Sequence, residues 1–560
     1  MDWSEFYEND GSENVLFVRT FSLQQRTKIL QLVGDYNPFI CYAFTVNYIL
    51  GCGVLGVPFA FYKAGIVAGT AIIIAISFFS YLTVLWVGEA SYRGMQIRKE
   101  MKNTNPFKSP KIYGKKSSKV AAAVGNTSIV NILNDGIHSV LSFQSLSSYQ
   151  QDTAKSSSNA VSSGAASYVS LNASVRAEKE RDRTSTLDSV DEAHEGASEM
   201  EVTDLVGEFI GENTKNSYQI SLMILTGVGL LAYTQVFAQG FRSQIWSNGS
   251  NSFPILVFAC IVVPLSCMQL SEQVTIQVFM AFMRFLSLGC LLLGTIYAIN
   301  VAPTTTTEAV PLVESDGIGL MLTTSIFAQL FQHSVPGLVR PLNDSDKEKA
   351  PRIFGAALAT TTVLYILIGV TSVAYFRQNI NQSVNLNFAN FYWGNDPKTC
   401  VVAVAVSKLI VLFPVLDTIS VFPLIAITLG NNLNAFFPFV YKYLRSQFKE
   451  TDKSTVKQYT LIGWRLVAAI PPVIMANYIT NFSITLQLAG LCGIYVAFII
   501  PALLQHSILS KFSLLNTKLI PSTPYTSYIY GQMTSVRIVY LLSFLAVCIC
   551  SYQLLQQLRV

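Results

Sequence analysis

The sequence predicts an all-α polytopic membrane protein with about eleven transmembrane helices. Hydrophobic residues make up 51% of the chain and charged residues only 13%, a balance typical of membrane proteins rather than soluble domains. Nearly charge-free runs of about 20 residues, long enough to cross a bilayer, recur along the chain. Two of these runs are interrupted near their middle by glycine, proline and polar residues, which lipid tolerates only where the backbone lines a cavity or is buried in protein.

The spans fall into separate blocks of the sequence. After an N-terminal tail, residues 1–37, spans 1 and 2 occupy residues 38–93 and spans 3 to 10 occupy residues 216–507. Residues 508–560 contain a loop and span 11. The tail is too polar for a secretory signal, so span 1 is expected to stay in the mature chain as a signal-anchor.

Residues 94–215 form a linker of different composition, rich in Ser, Ala, Lys and Asn and then acidic. With few aromatic residues and no apolar periodicity, most of it is expected to be disordered. The segment RDRTSTLDS, residues 181–189, places hydroxyls beside basic residues and could be phosphorylated, although a solvated spacer is the simpler interpretation. The linker as a whole is the candidate site for a cytoplasmic partner or kinase. Apolar residues at helical spacing in residues 200–213 predict a short interfacial helix before span 3.

Lysine and arginine collect in alternate loops, which sets the orientation. The loops after spans 2, 6 and 8 are rich in both residues, whereas those near 244–253, 301–316 and 478–483 carry neither. We therefore expect a cytoplasmic N-terminus and a cytoplasmic linker. Sequons such as Asn481 lie in the expected outside loops and predict a glycoprotein, but other sequons fall inside. The plasma membrane and the lysosome or vacuole both stay open as locations.

Several classes of function find no support in the sequence. Nine cysteines are scattered without ligand spacing, so neither a disulfide framework nor a metal site is predicted. No basic stripe interleaved with aromatic residues indicates a nucleic-acid partner. No nucleophile elbow or other catalytic motif is present, so we expect no enzyme and no cofactor.

The interruption in span 1 lies in VNYILGCGVLGVPFAFYKAG, residues 46–65. Small residues in a span can serve close helix packing, as GxxxG patterns do. Alternatively, they can unwind the helix and expose backbone N–H and C=O groups to a polar ligand in the bilayer. The pattern alone leaves both interpretations open.

The second interruption lies in span 6, GIGLMLTTSIFAQLFQHSVPGLVRPL, residues 317–342. Pro336 lacks an N–H and disrupts the preceding turn, and the polar residues beside it are costly in lipid unless they face a site. Spans 1 and 6 are five spans apart. Interrupted helices at these two places predict a five-plus-five inverted repeat.

These segments resemble the amino acid/auxin permease family of the amino acid–polyamine–organocation superfamily. The stretch NYILGCGVLGVPFAFYKAG is similar to the first-span motif of that family. FAQLFQHSVPGL resembles its sixth-span pattern, and LQLAGLCGIYVAFIIPALL its tenth-span pattern. The resemblance covers the spans in order and leaves out the linker. It implies a LeuT-like fold and secondary transport of amino acids, usually with a co-transported proton or sodium ion.

The resemblance also implies roles for the residues of the two interruptions. Backbone N–H groups of the first would receive a substrate carboxylate, and side chains of the second would line the opposite wall. The candidate substrate-binding residues are Gly51, Cys52, Gly53 and Val54 in span 1 and Phe327, Gln332 and His333 in span 6. Asn47 matches an Asn that helps bind the ion in sodium-coupled relatives; an interhelical hydrogen bond is the alternative.

Span 8 contains an acidic residue deep in the expected membrane region, Asp417, with Thr418 and Ser420 beside it. An intramembrane carboxylate is a candidate proton carrier or cation ligand, so these three residues join Asn47 as candidate ion-coupling residues. Arg284, at the expected cytoplasmic start of span 5, is a candidate for the inner gate or, less easily, for contact with Asp417; a side chain reaching the membrane surface is the simpler interpretation.

The sequence as a whole therefore predicts a proton- or sodium-coupled amino acid symporter that works by alternating access in the lipid bilayer. An amino acid sensor is the alternative. Such a transceptor would bind its ligand, transport little, and signal through the long linker.

Overall fold

The computed structural model describes residues 37–104, 201–246, 250, 252–268, 274–301, 309–398, 400–447, 453–514, 523–526 and 531–559. Regular secondary structure within these ranges is helical. The first 36 residues of the N-terminal tail and residues 105–200 of the predicted linker lie outside them.

The helices run in chain order and are numbered here as they occur. They are α1 (Pro38–Ile49), α2 (Gly53–Ala64), α3 (Ile66–Thr104), α4 (Val202–Phe209), α5 (Glu212–Gln244), α6 (Ser252–Cys267), α7 (Val274–Val301), α8 (Ile318–Ala328), α9 (Val335–Val339), α10 (Asp344–Lys347), α11 (Ala350–Phe376), α12 (Val401–Phe436), α13 (Pro438–Gln447), α14 (Lys453–Met475), α15 (Phe482–Ile494), α16 (Ile500–Leu514) and α17 (Met533–Arg559). A π-helical segment, Tyr495–Ile499, joins α15 to α16.

Among the described residues, seven helices are long and apolar enough to cross a membrane, with α15, the π-helical segment and α16 counted as one. The bent pair α1 and α2 makes an eighth candidate. The multi-pass membrane prediction is thereby confirmed. Helices also lie where spans 4, 6 and 9 were predicted, as α6, α8 with α9, and α14. These are not among the eight, because α6 and α8 are short and α14 is less apolar, so the count of eleven stays a prediction.

The chain divides into two compact units. The first comprises residues 1–91, 201–514 and 518–560 and contains most of the helices above. The second comprises residues 92–200 and 515–517 and is described only to Thr104, where α3 ends. The start of the predicted linker is thus helical.

The predicted interruption of span 1 is present. Helix α1 ends at Ile49, α2 begins at Gly53, and their axes differ by 57°. Leu50 leaves helical geometry with ψ of 67°, and the Gly51 N–H donates to the Ile49 carbonyl oxygen over 2.8 Å. Pro58 lies inside α2 rather than at the interruption, so the glycine-rich turn and not the proline separates the two halves.

Span 6 is also interrupted. Helix α8 ends at Ala328 and a single 3-10 turn, Gln332–Ser334, precedes the short helix α9. The two interruptions lie against each other, since a Cβ atom on Gly53 would come within 3.0 Å of the Ala328 Cα. Tyr365 of α11, which is fully buried, joins them through its hydroxyl, 3.0 Å from the carbonyl oxygens of both Ile49 and Ala328.

The segment before α8 docks on the turn between α2 and α3. Main-chain N–H groups of Ile66 and Val67 donate to the carbonyl oxygens of Pro311 and Leu312, at 3.1 and 3.0 Å. The Gly317 backbone lies so close to Lys63 that an added Cβ would meet the Lys63 carbonyl at 2.1 Å. The C-terminal end of α2 and the N-terminal end of α8 are therefore in backbone contact.

A short helix lies at the end of the linker, as the sequence predicts. Its apolar residues Val202, Leu205, Val206 and Phe209 are buried on one face of α4. Side chains of α16 complete its C-terminus, with Lys511 Nζ donating to the Phe209 carbonyl oxygen over 3.1 Å. The last part of the linker is thus packed against a transmembrane helix.

Candidate functional site

A cavity of about 30 Å³ lies beside the span 1 interruption. Its walls come from spans 1, 3, 5 and 8, and the lining residues are Gly51, Cys52, Val54, Leu55, Tyr233, Val236, Arg284, Ser287, Leu288, Leu291, Ile410, Phe413, Pro414, Asp417 and Thr418. A space of this size holds about two water molecules. The cavity is therefore small.

An ion pair forms that polar centre. Arg284 of α7 contacts the Asp417 carboxylate of α12 through two nitrogens, with Nη2 at 2.8 Å from Oδ1 and Nε at 3.2 Å from Oδ2. Their side chains are only 10% and 12% exposed. A charge buried this far from water is stable only when it is paired and hydrogen-bonded, so each residue depends on the other.

The same guanidinium also holds the first half of span 1. Arg284 Nη1 donates to the backbone carbonyl oxygen of Asn47 over 2.8 Å and to its side-chain Oδ1 over 2.9 Å. Asn47 lies in the last turn of α1, where carbonyl groups lack helical partners. One cation therefore joins spans 1, 5 and 8 at the interruption.

The structure brings the predicted span 1 residues to the cavity. Gly51, Cys52 and Val54 line it, and the close approach of Tyr233 leaves little room at Gly51, where an added Cβ would lie 3.2 Å from the Tyr233 hydroxyl. Gly53 faces α8 instead. Its missing side chain allows the two interruptions to pack, which is the close-packing role that the sequence left open.

The predicted ion-coupling residues are also brought together, apart from Ser420. Asn47 and Asp417 contact the same guanidinium, and Thr418 lines the cavity while its hydroxyl donates to the Val415 carbonyl oxygen. Ser420 donates to the Asp417 carbonyl oxygen over 2.9 Å and is not among the lining residues.

The predicted span 6 residues do not line this cavity. Gln332 is buried and donates to Thr83 Oγ1 of span 2 over 3.2 Å. His333 Nε2 lies 2.8 Å from the Tyr48 hydroxyl on α1. Phe327 packs beside Gly53, where an added Cβ would lie 3.3 Å from its ring. The polar residues of span 6 thus link this interruption to spans 1 and 2.

The interpretation of Arg284 as a side chain reaching the membrane surface is wrong. Helix α7 begins at Val274, nearly three turns before Arg284, so the residue is not at the start of its helix. The apolar run used to predict span 5 begins after Arg284, and a search for charge-free segments therefore places the arginine at an end. Lys408, on the opposite face of α12 from Asp417, contacts Gln244 Oε1.

Comparison with solved structures yields distant similarity. A substrate-bound, outward-open Na+-coupled sialic acid symporter aligns with a TM-score of 0.37 and 12% identity, over 63% of this chain and 76% of that one. The Eremococcus coleocola manganese transporter aligns with a TM-score of 0.34 and 10% identity, over 92% of this chain and 94% of that one. Scores this low carry no argument about fold or substrate.

Sequence relatives show higher identity. A transmembrane protein 104 homolog of Dictyostelium discoideum is 22% identical over 490 residues, 84% of this chain and 88% of the relative. Human transmembrane protein 104 is 22% identical over 258 residues, 45% of this chain and 47% of that protein. The chain thus spans about half the length of the human relative.

A family profile also matches most of the sequence. Residues 38–128 and 217–546 match the family described as transmembrane amino acid transporter protein. The matched ranges include both interruptions and the three helices joined by Arg284. On this match over most of its length, the chain belongs to the transmembrane amino acid transporter family.

Proposed function

We propose that this protein is a secondary active transporter that couples amino acid movement to a proton or sodium gradient by alternating access. One observation carries the proposal: the unwound turn of span 1 forms a wall of a buried cavity with a polar centre. Unwound backbone at membrane depth is tolerated where it lines a cavity, and transporters use such turns to bind substrate.

The start of α2 provides the chemistry for a substrate carboxylate. The first N–H groups of a helix carry partial positive charge, and at the start of α2 those of Val54 and Leu55 make only turn-type bonds, to the Gly51 and Cys52 carbonyl oxygens over 3.4 and 3.2 Å. Cys52, the residue that caps α2, makes no side-chain hydrogen bond to them. The cavity would have to widen to admit an amino acid. A carboxylate beside Gly51 and Cys52 would then accept from N–H groups at this helix end, as anions do at helix N-termini.

The other walls favour an uncharged substrate side chain. Leu55, Leu288, Leu291 and Ile410 line the cavity, and Arg284 and Asp417 already satisfy each other. A second charge would meet apolar walls without a free partner, which is costly in a site shielded from water. We therefore propose neutral amino acids as the substrate class.

We further propose that the N-terminus and the linker are cytoplasmic, on the charge distribution of the loops. The packing of α4 against α16 supports a link between the linker and the transmembrane helices, which a kinase or partner at residues 94–215 would use. Microscopy of the tagged protein would decide between the plasma membrane and the lysosome or vacuole.

Uptake into proteoliposomes tests the transport function. The purified protein is reconstituted and supplied with labelled neutral amino acids under a pH gradient, a sodium gradient or neither. Gly53→Leu places a side chain on Ala328 and is expected to reduce uptake to background. Gly463→Leu is the matched control, because nothing lies within 4 Å of an added Cβ there.

Gradient-driven uptake that survives Gly463→Leu and is lost in Gly53→Leu supports the proposal. Equal uptake by both variants would show that the interruption does not take part in transport. Absence of uptake by the unsubstituted protein, with thermal stabilisation by an amino acid, would instead identify the sensor.

A further inference from the structure

We propose that the Arg284 guanidinium is the resident cation of the ion site, so that the transporter functions without sodium. The inference rests on the proposed transport function and narrows the choice of coupling ion. The sequence directs attention to Asn47, Asp417 and Thr418 as ligands of a mobile cation. In the structure, a covalently attached cation from span 5 contacts the first two of them and lines the same cavity as the third.

The acceptors around Arg284 form an oxygen set suited to a hard cation. Asn47 contributes its carbonyl oxygen and Oδ1, and Asp417 contributes both carboxylate oxygens, all within 3.2 Å of a guanidinium nitrogen. Carboxylate and carbonyl oxygens are the ligands that such ions take in proteins. The guanidinium occupies the position between them that sodium would need.

The charge balance of the cavity leaves no place for a second cation. Arg284 and Asp417 are the charged residues among those that line it, and their charges cancel. A sodium ion entering beside them would add an uncompensated charge where the ion pair is nearly shielded from water. Electrostatic repulsion from a guanidinium is strong at such low effective dielectric.

A tethered cation also changes what the site responds to. A mobile ion arrives, binds spans 1 and 8 together, and leaves. Arg284 is fixed to α7 and stays at the site, so its bonds to Asn47 and Asp417 form or break only when spans 1, 5 and 8 move relative to one another. Movement of span 1 is thereby coupled to span 5 rather than to external sodium.

Removal of the guanidinium should convert the site into a sodium site. Arg284→Ala leaves the Asp417 carboxylate unpaired beside the oxygens of Asn47 and the lining Thr418. Because a guanidinium is wider than a bare ion, we expect sodium to enter with a bridging water molecule. The charge of Asp417, which Arg284 cancels in the native pair, is then uncompensated and attracts the sodium ion.

The experiment measures thermal unfolding of the purified full chain in sodium chloride and in choline chloride at equal ionic strength. We expect identical midpoints for the unsubstituted protein and a rise of about 2 °C in sodium for Arg284→Ala. Adding Asp417→Asn to Arg284→Ala should abolish that rise. Arg465→Ala is the matched control, since it removes an arginine from α14 outside the cavity.

Sodium stabilisation of the unsubstituted protein, or of Arg284→Lys, which retains a tethered cation, overturns the inference. So does a folded Arg284→Ala protein that sodium leaves unchanged. If Arg284→Ala does not fold, the unsubstituted and Arg284→Lys proteins decide the question. Failure of the proposed function is distinct, because it appears as absence of uptake and leaves the unfolding measurement unaffected.

Discussion

The interruptions of spans 1 and 6 are alike in sequence signal but differ in what surrounds them. The span 1 turn is made of small residues, and Gly51 and Cys52 line the cavity. The span 6 turn carries long polar side chains that reach other helices, with Gln329 Nε2 3.2 Å from Thr362 Oγ1 and Gln332 bound to Thr83. A helix can therefore be interrupted either to expose its backbone or to fasten neighbouring spans.

We expect the span 1 interruption to bind substrate and the span 6 interruption to hold neighbouring helices together. In span 1 the interruption leaves backbone groups of α2 beside a space, and the adjoining end of α1 is held by a charge from span 5. In span 6 the interruption is held by neutral side chains and by Tyr365. We expect changes near span 1 to alter binding and the larger share of stability, and changes near span 6 to alter rates. The substitutions below test this division, from the largest expected effect to the smallest.

Asp417→Leu is expected to have the largest effect on stability. It leaves the Arg284 guanidinium buried without its carboxylate partner, and breaking a buried pair in this way costs about 3–5 kcal/mol. Thermal unfolding of the detergent-purified protein measures the loss. Arg284→Met combined with Asp417→Leu should recover much of the stability but not the uptake. A single variant as stable as the unsubstituted protein would contradict the role of the ion pair.

Tyr365→Phe is expected to weaken both interruptions at once. Its hydroxyl serves the Ile49 and Ala328 carbonyl oxygens, and leaving buried acceptors unsatisfied costs about 1–3 kcal/mol. Hydrogen exchange should increase in α1 and in α8 together. Tyr375→Phe, on the same helix with its ring packed on Phe376, is the control. Faster exchange in one helix alone would show that the two interruptions are independent.

Gln332→Leu should affect span 6 and leave substrate binding intact. The side chain accepts from the buried Phe331 N–H over 3.0 Å and donates to Thr83, so its replacement costs about 1–3 kcal/mol. Substrate affinity, measured by ligand-induced thermal stabilisation, is expected to stay constant while the uptake rate changes. A weaker affinity would mean that span 6 contributes to the binding site after all.

Tyr48→Phe is expected to have the smallest effect on stability. The Tyr48 hydroxyl, which is partly exposed, lies 2.8 Å from His333 Nε2 and accepts from Ser334 over 2.6 Å. Exposed hydrogen bonds contribute about 0.5 kcal/mol or somewhat more. A change in uptake rate without a change in unfolding temperature supports the role of these contacts as a fastening between α1 and span 6. Unaltered rates would leave them without a role in transport.

Local backbone features of this fold could be predicted from the sequence, and long-range contacts largely could not. Gly51 and Gly53 identify the span 1 interruption because both residues lie at the interruption itself. The partner of Asp417 is a different matter, since Arg284 lies 133 residues away in the chain. Its role depends on where α7 begins and which face of that helix packs inward, and neither follows from a charge-free run.

The same limit applies to span 6. Gln332 and His333 are polar residues at a helix break, and that pattern is equally consistent with lining a pocket or tying helices together. The residues that decide between these roles are Tyr48 of span 1 and Thr83 of span 2. Only the packing of whole helices brings them into contact.

The main-chain bonds between residues 311–312 and the start of α3 limit how the molecule can open. With the Gly317 backbone packed against Lys63, the C-terminal end of α2 and the N-terminal end of α8 are held together by main-chain contacts rather than by side chains. We therefore expect a covalent cross-link between these two ends to leave uptake unchanged. In the proposed transport cycle, these two helix ends would form one rigid unit, and the other spans would move relative to it.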